Sequence, residues 1–88
     1  MTNINGQIIS GEFDKEMNEF ILQKIKNQPT ESIIKESQFS RLYRYLKEQE
    51  GSTGYQVITL YDQMLIPLSK DDLKALLSDL ERLQHLYH

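Results

Sequence analysis

The chain has 88 residues, of which 39% are hydrophobic, and a formal net charge of −3 with no cysteine. This length predicts a single domain, residues 1–88, with one small core. The lack of cysteine excludes disulfides and thiolate metal sites, and the acidic balance argues against broad affinity for nucleic acid or anionic lipid. The sequence has neither a signal-like start nor an apolar run near twenty residues, so we expect a cytoplasmic protein without membrane association.

The N-terminal segment Met1–Ser10 contains short apolar pieces on either side of Asn5-Gly6. Asn-Gly is typical of tight hairpin turns, which favours a small hairpin here. A single strand over Gln7–Ser10 fits the pattern equally well.

A helix is predicted from Phe13 to Gln28, where apolar residues recur at helical spacing and Pro29 forces an end. Its apolar face consists of Phe13, Met17, Phe20, Ile21 and Ile25. The next segment, Thr30–Glu36, is ambiguous. A helix capped by Thr30 is favoured, while Ile33-Ile34 between polar residues also suits a short strand.

A further helix is predicted from Ser37 to Glu50, with Ser37 as the N-cap and Gly51 as a left-handed C-terminal residue. Two strands follow, Tyr55–Tyr61 and Met64–Leu68, joined at Asp62-Gln63. Pro67 cannot donate a ladder hydrogen bond, so the second of these is expected at a sheet edge.

The last helix has the strongest start signal in the chain. Ser69 and Asp72 have the spacing of a capping box, and Leu68 and Leu73 have that of a hydrophobic staple. Leucines then recur every three or four residues and form a seam, which widens at one position. The seam residues are Leu73, Leu76, Leu77, Leu80 and Leu83.

These elements predict an α+β domain in the order β-α-(α)-α-β-β-α. The layer rule favours a small antiparallel hairpin or sheet of two to three strands packed against three helices.

No catalytic motif is present, so an enzyme is not expected. Glu81, His85 and His88 could share one helical face, but three ligands on a terminal turn make a weak metal site. We therefore expect no cofactor.

Two features indicate contact surfaces instead. Arg41, Arg44 and Lys47 repeat every three residues on the Ser37–Glu50 helix, with Tyr45 between them. Such a face suits an acidic protein surface, or phosphates with Tyr45 stacked on a base, or plain solvent. Tyr55 and Tyr87 are further candidates for exposed contacts, because tyrosine combines apolar area with a polar tip.

The leading hypothesis is a small non-enzymatic interaction module that binds and regulates, or inhibits, a partner protein. A homodimer through the leucine seam is a second expectation, motivated by the small core and the residues that one seam leaves over. The alternative is a nucleic-acid-binding regulator that uses the basic face of the helix 37–50, which the net charge makes less favoured.

Overall fold

The structure, a computed structural model, describes residues 1–51, 56–59 and 65–88. Its elements in chain order are β1 (Thr2–Asn5), β2 (Ile9–Asp14), β3 (Glu19–Ile25), β4 (Gln28–Lys35), α1 (Glu36–Glu48), a 3-10 turn (Gln49–Gly51), β5 (Gln56–Thr59), β6 (Leu65–Leu68) and α2 (Lys70–Gln84).

The first half of the chain forms a four-stranded antiparallel meander in the order β1-β2-β3-β4. The strands β5 and β6 form a separate antiparallel pair. The fold is therefore α+β as predicted, but the prediction of two to three strands packed against three helices is wrong. Within the described residues there are a four-stranded sheet, a two-stranded sheet and two α-helices.

The prediction of a first helix over Phe13–Gln28 is wrong. The segment comprises the end of β2, β3 with the turns on either side of it, and the first residue of β4. The misleading signal is a β-bulge at Gln23, where the register shifts from Ser10↔Lys24 to Gly11↔Leu22. Before the bulge Phe20 and Leu22 point into the core, whereas after it Ile25 does. One extra residue thus breaks the period of two, and the spacing that remains imitates a helical face.

The turns around β3 are built without glycine. The residues of the Lys26-Asn27 turn have φ values of 49° and 65°, as a type I′ hairpin turn requires, and Ile25↔Gln28 closes the turn. In the preceding loop, the Asp14 carboxylate accepts hydrogen bonds from the amides of Glu16 and Met17 at 3.0 and 3.2 Å. The chain thus reverses direction before β3 through the hydrogen bonds of the Asp14 side chain, and after β3 through two left-handed residues. The helix prediction overlooked both turns.

The favoured helix over Thr30–Glu36 is also wrong, because residues 30–35 belong to β4 and Glu36 is the first residue of α1. The alternative of a strand around Ile33-Ile34 is confirmed. Pro29 lies within that strand opposite Lys24. As β4 is the last strand of the sheet, the missing amide of Pro29 is tolerated there.

A hairpin at the N-terminus is confirmed, with β1 and β2 paired from Asn5↔Ser10 outwards. Its reversal lies after Asn5-Gly6, because the Gly6 amide already donates to the carbonyl of Ile9 at 2.8 Å. A β-carbon on Gly6 would overlap the carboxylate of Asp79, so only glycine fits at this position.

The helix α1 confirms the predicted element with different caps. Its N-cap is Lys35, whose amide donates to Oε1 of Gln38 at 2.9 Å, and Ser37 lies inside the first turn. Its C-cap is Gln49 in a right-handed conformation, and Gly51 ends the 3-10 turn that follows.

The helix α2 confirms the predicted capping box. Ser69 Oγ accepts from the amide of Asp72 at 3.1 Å, and the Asp72 carboxylate accepts from the amide of Ser69 at 3.0 Å. Lys26 in the β3–β4 turn pairs with Asp72 at 2.8 Å and donates to the carbonyl of Pro67 at 2.9 Å, which ties the four-stranded sheet to the start of α2.

One hydrophobic core joins all these layers. The inner face of the sheet, the inner sides of α1 and α2, and Ile66 and Leu68 of β6 meet in a single cluster of buried side chains. Among the described residues, the opposite face of the sheet and the outer side of α1 lie outside this core.

Candidate protein-binding surface

The helix α1 separates its side chains sharply between core and solvent. Phe39 and Leu46 are buried, and Leu42 and Tyr43 pack partly against the core. The residues that a helical repeat places opposite them are all exposed. They are Ser37, Arg41, Arg44, Tyr45 and Glu48.

Three of these residues form what we call the α1 surface, namely Arg41, Arg44 and Tyr45. Arg41 is three residues from Arg44 and four from Tyr45, so the three side chains are neighbours on the helix. Tyr45 is 43% exposed, so part of its apolar ring lies at the surface beside the two arginines. Within the described part of the chain, neither arginine forms an ion pair.

Lys47, the fourth residue of the predicted basic face, stands apart from the α1 surface. It lies about 120° around the helix from Arg41. Its ammonium group pairs with Glu50 at 3.4 Å, and that negative charge raises the pKa of Lys47. On this side of α1, Tyr43 donates its hydroxyl to Glu81 at 2.9 Å, and this hydrogen bond raises the pKa of Tyr43. The charge of Lys47 is thus paired locally with the 3-10 turn that follows α1.

Tyr87 faces inward rather than out to a partner. Its ring packs edge-on to Phe13 and tilted against Phe39, both with centroids 4.9 Å apart. Its hydroxyl donates to the carbonyl of Ile34 at 2.6 Å, and burial raises the pKa of Tyr87. Tyr87 therefore packs the C-terminal residues against the sheet and α1.

Tyr55 lies outside the described residues. The five leucines of the predicted seam, Leu73, Leu76, Leu77, Leu80 and Leu83, lie in the core, and each is at most 3% exposed. As folded, they offer no area to a second copy. Self-association remains a prediction, and it would have to use other residues.

Asp79 is the residue that the sequence reasoning passed over. It is 1% exposed, and its carboxylate accepts hydrogen bonds from three successive amides, those of Gln7, Ile8 and Ile9, at 2.8, 2.8 and 3.2 Å. A signal was present: Asp79 lies three residues after Leu76 and four before Leu83, inside the apolar stripe. A carboxylate at such a position must find donors in the fold.

Several apolar side chains are exposed outside α1. Ile33 of β4 is 51% exposed, and Val57 and Leu65 of the β5–β6 pair are 54% and 63% exposed. Alternation along each strand is the signal that would have found them, once the segments are known to be strands.

No protein-family model, curated protein or solved structure matches this chain. No helix in the described part of the chain has the length and hydropathy to cross a membrane. The geometry of the molecule is therefore the only basis for a functional proposal.

Proposed function

We propose that the chain is a small non-enzymatic module that binds a partner protein through the α1 surface and regulates it. The observation that carries the proposal is the half-exposed ring of Tyr45 beside two arginines that form no ion pair with any residue that the structure describes. Tyrosine and arginine are enriched among the residues that dominate binding energy at protein interfaces. A cytoplasmic location belongs to the same proposal.

The chemistry of the α1 surface selects an acidic partner. A guanidinium group binds a carboxylate through two parallel hydrogen bonds, and Tyr45 adds apolar area beside them. Because Arg41 and Arg44 are on a rigid helix anchored by Phe39 and Leu46, they are held ready for such contacts.

Nucleic acid is the competing ligand, because the same guanidinium groups would bind phosphates and Tyr45 would stack on a base. Two observations weigh against it. The net charge is −3, and Glu48 is exposed on the same side of α1. An acidic protein tolerates such a neighbourhood better than a continuous polyanion does.

The test compares two double variants with the same change of charge. Arg41→Ala/Arg44→Ala removes the α1 surface charges, whereas Lys70→Ala/Lys74→Ala removes two exposed charges from α2. Proteins from the native host are captured on wild-type and variant chains and quantified by mass spectrometry. We expect at least one acidic protein to be lost with the first variant and retained with the second.

Purified binding then measures the effect. The dissociation constant for that protein should rise about tenfold or more for Arg41→Ala/Arg44→Ala. Equal losses for both variants would contradict the proposal. Retention on a DNA or RNA column that weakens steeply with salt, with a slope that Arg41→Ala/Arg44→Ala flattens, would replace it with the nucleic-acid alternative.

A further inference from the structure

The second surface is the outer edge of β4. In the part of the chain that the structure describes, β4 ends the four-stranded sheet and forms a ladder with β3 alone. It is also the longest strand of that sheet, with eight residues. A strand edge that lacks a partner strand presents main-chain donors and acceptors that favour pairing with another strand.

The amide directions along β4 follow from one hydrogen bond. The amide of Lys35 donates to Gln38 Oε1, so it points away from β3. Alternate residues of a strand direct their amides to the same side. The amide of Ile33 therefore also points outward, at the centre of a stretch whose side chains alternate between solvent and core. The amide of Lys35 is already occupied by Gln38, so Lys35 would contribute its side chain and carbonyl to a partner strand.

The protective features of this edge cover only its first half. Pro29 is the second residue of β4. The register shift between Leu22 and Lys24 of β3 lies opposite the part of β4 between Pro29 and Ser32. From Ser32 to Lys35 the strand has neither proline nor register shift, and Glu31 is exposed on the same face as Ile33 and Lys35. The exposed Ile33 sits in the middle of this stretch, with Ile21 of β3 beside it on the same face.

We propose that a second copy of this chain pairs with β4 in antiparallel orientation, with Ile33 on the two-fold axis. In this register Glu31 of each copy lies directly opposite Lys35 of the other, and the two Ile33 side chains meet between these charge pairs. Cross-strand pairs of opposite charge and of branched apolar residues stabilise antiparallel sheets. The sequence Glu31-Ser-Ile-Ile-Lys35 is therefore complementary to itself.

The neighbouring registers that use the same outward amides are unfavourable. A shift of two residues places Ile33 directly opposite Glu31 or Lys35, which separates the opposite charges and the two Ile33 side chains. Centring the pair on Glu31 or on Lys35 places two like charges directly opposite each other, which destabilises a sheet. A shift of one residue would place Ser32 and Ile34, which face the core, opposite residues of the partner strand that face solvent. Charge and face together select the Ile33-centred register, which joins two four-stranded sheets into one of eight strands.

The test is a charge reversal with a restoring double variant. Sedimentation velocity over a range of protein concentrations gives the dimer dissociation constant for wild type, Glu31→Lys, Lys35→Glu and Glu31→Lys/Lys35→Glu. Each single reversal places like charges in both cross-strand pairs, so we expect the dissociation constant to rise at least fivefold. The double variant recreates both pairs in reverse, and its constant should return to within twofold of wild type.

Thermal unfolding of each variant shows whether it is folded, and amide hydrogen exchange provides a second readout. Exchange at Ile33 should slow as the protein concentration rises in wild type and not in the single variants. A wild-type chain that stays monomeric at the highest concentration overturns the proposal. So does a dimer that both single variants leave unchanged, or one that the double variant fails to restore.

Discussion

Asp79 completes the turn between β1 and β2 in place of main-chain hydrogen bonds. Three consecutive amides that would otherwise be left unpaired converge on its carboxylate. Such an arrangement of successive N–H groups favours an anion. A single side chain thereby fixes both the shape of the turn and the position of α2 against it.

Removing this carboxylate should cost the protein much of its stability. A buried amide that loses its acceptor costs about 1–3 kcal/mol, and here the bond from Ile9 is buried while those from Gln7 and Ile8 are part-buried. We therefore expect Asp79→Ala to lower the free energy of unfolding by about 3 kcal/mol. Urea denaturation monitored by circular dichroism measures the change. Asp71→Ala, at an exposed position of the same helix, is the matched control and should change stability far less.

Gly6 and Asp79 should behave as a coupled pair. Gly6→Ala introduces a β-carbon that overlaps the Asp79 carboxylate, so it should destabilise the wild type. In an Asp79→Ala background that overlap is gone. There Gly6→Ala should lower the free energy of unfolding by at least about 1 kcal/mol less than it does in wild type, within the range of coupling between contacting residues. A double-mutant cycle in urea measures the coupling, and strictly additive effects would contradict this contact.

The Asp72 carboxylate should make stability depend on pH. Its hydrogen bond to Lys26, followed by the one from the Ser69 amide, lowers the pKa of Asp72 below its ordinary value. The folded state therefore favours the charged form, and the resulting stabilisation is present above about pH 4 and is lost as the pH falls through the lowered pKa. Asp72→Asn should show a flatter decline of unfolding free energy below pH 4 than wild type, and parallel curves would refute this.

At the scale of elements, the β3–β4 hairpin depends on two non-glycine residues in left-handed conformations, Lys26 and Asn27. Type I′ turns prefer glycine at the second central position, since a β-carbon is unfavourable there. The strand pairing compensates for the local cost, and the Lys26–Asp72 ion pair links the turn to α2.

Replacing Asn27 by glycine should therefore stabilise the protein slightly. Relief of the left-handed strain outweighs the added freedom of the unfolded chain, and we expect a gain of about 0.5 kcal/mol in the free energy of unfolding. Gln28→Gly, one residue later in the extended strand, is the control and should destabilise. A loss of stability for Asn27→Gly in thermal unfolding would contradict the type I′ assignment.

The elements also show where reasoning from sequence succeeds and fails. The capping box at Ser69 and Asp72 is local chemistry, so the start of α2 was predictable. The bulge at Gln23 and the Lys26-Asn27 turn were not, because each depends on pairing with another strand. Without these two features, an apolar spacing of three and four residues is indistinguishable from a helical face.

At the scale of the whole molecule, the leucines of α2 lie in the core, and the surfaces proposed for binding lie outside it. That Arg41, Arg44 and Tyr45 share an exposed side of α1 was predictable, since a regular helix fixes which residues share a face. The sequence could not place Tyr87 or Lys47, whose partners Ile34 and Glu50 are set by packing and by local geometry after the helix end. Nor could it show the free edge of β4 while that segment was interpreted as a helix.

The most direct measurement of the central proposal is the dissociation constant for a partner protein captured from the native host. It should be compared among wild type, Arg41→Ala/Arg44→Ala and Lys70→Ala/Lys74→Ala at physiological salt. We predict that the dissociation constant is at least about tenfold higher for Arg41→Ala/Arg44→Ala and unchanged for Lys70→Ala/Lys74→Ala. Equal affinity for all three chains would contradict this prediction, because the α1 surface would then make no contribution to binding.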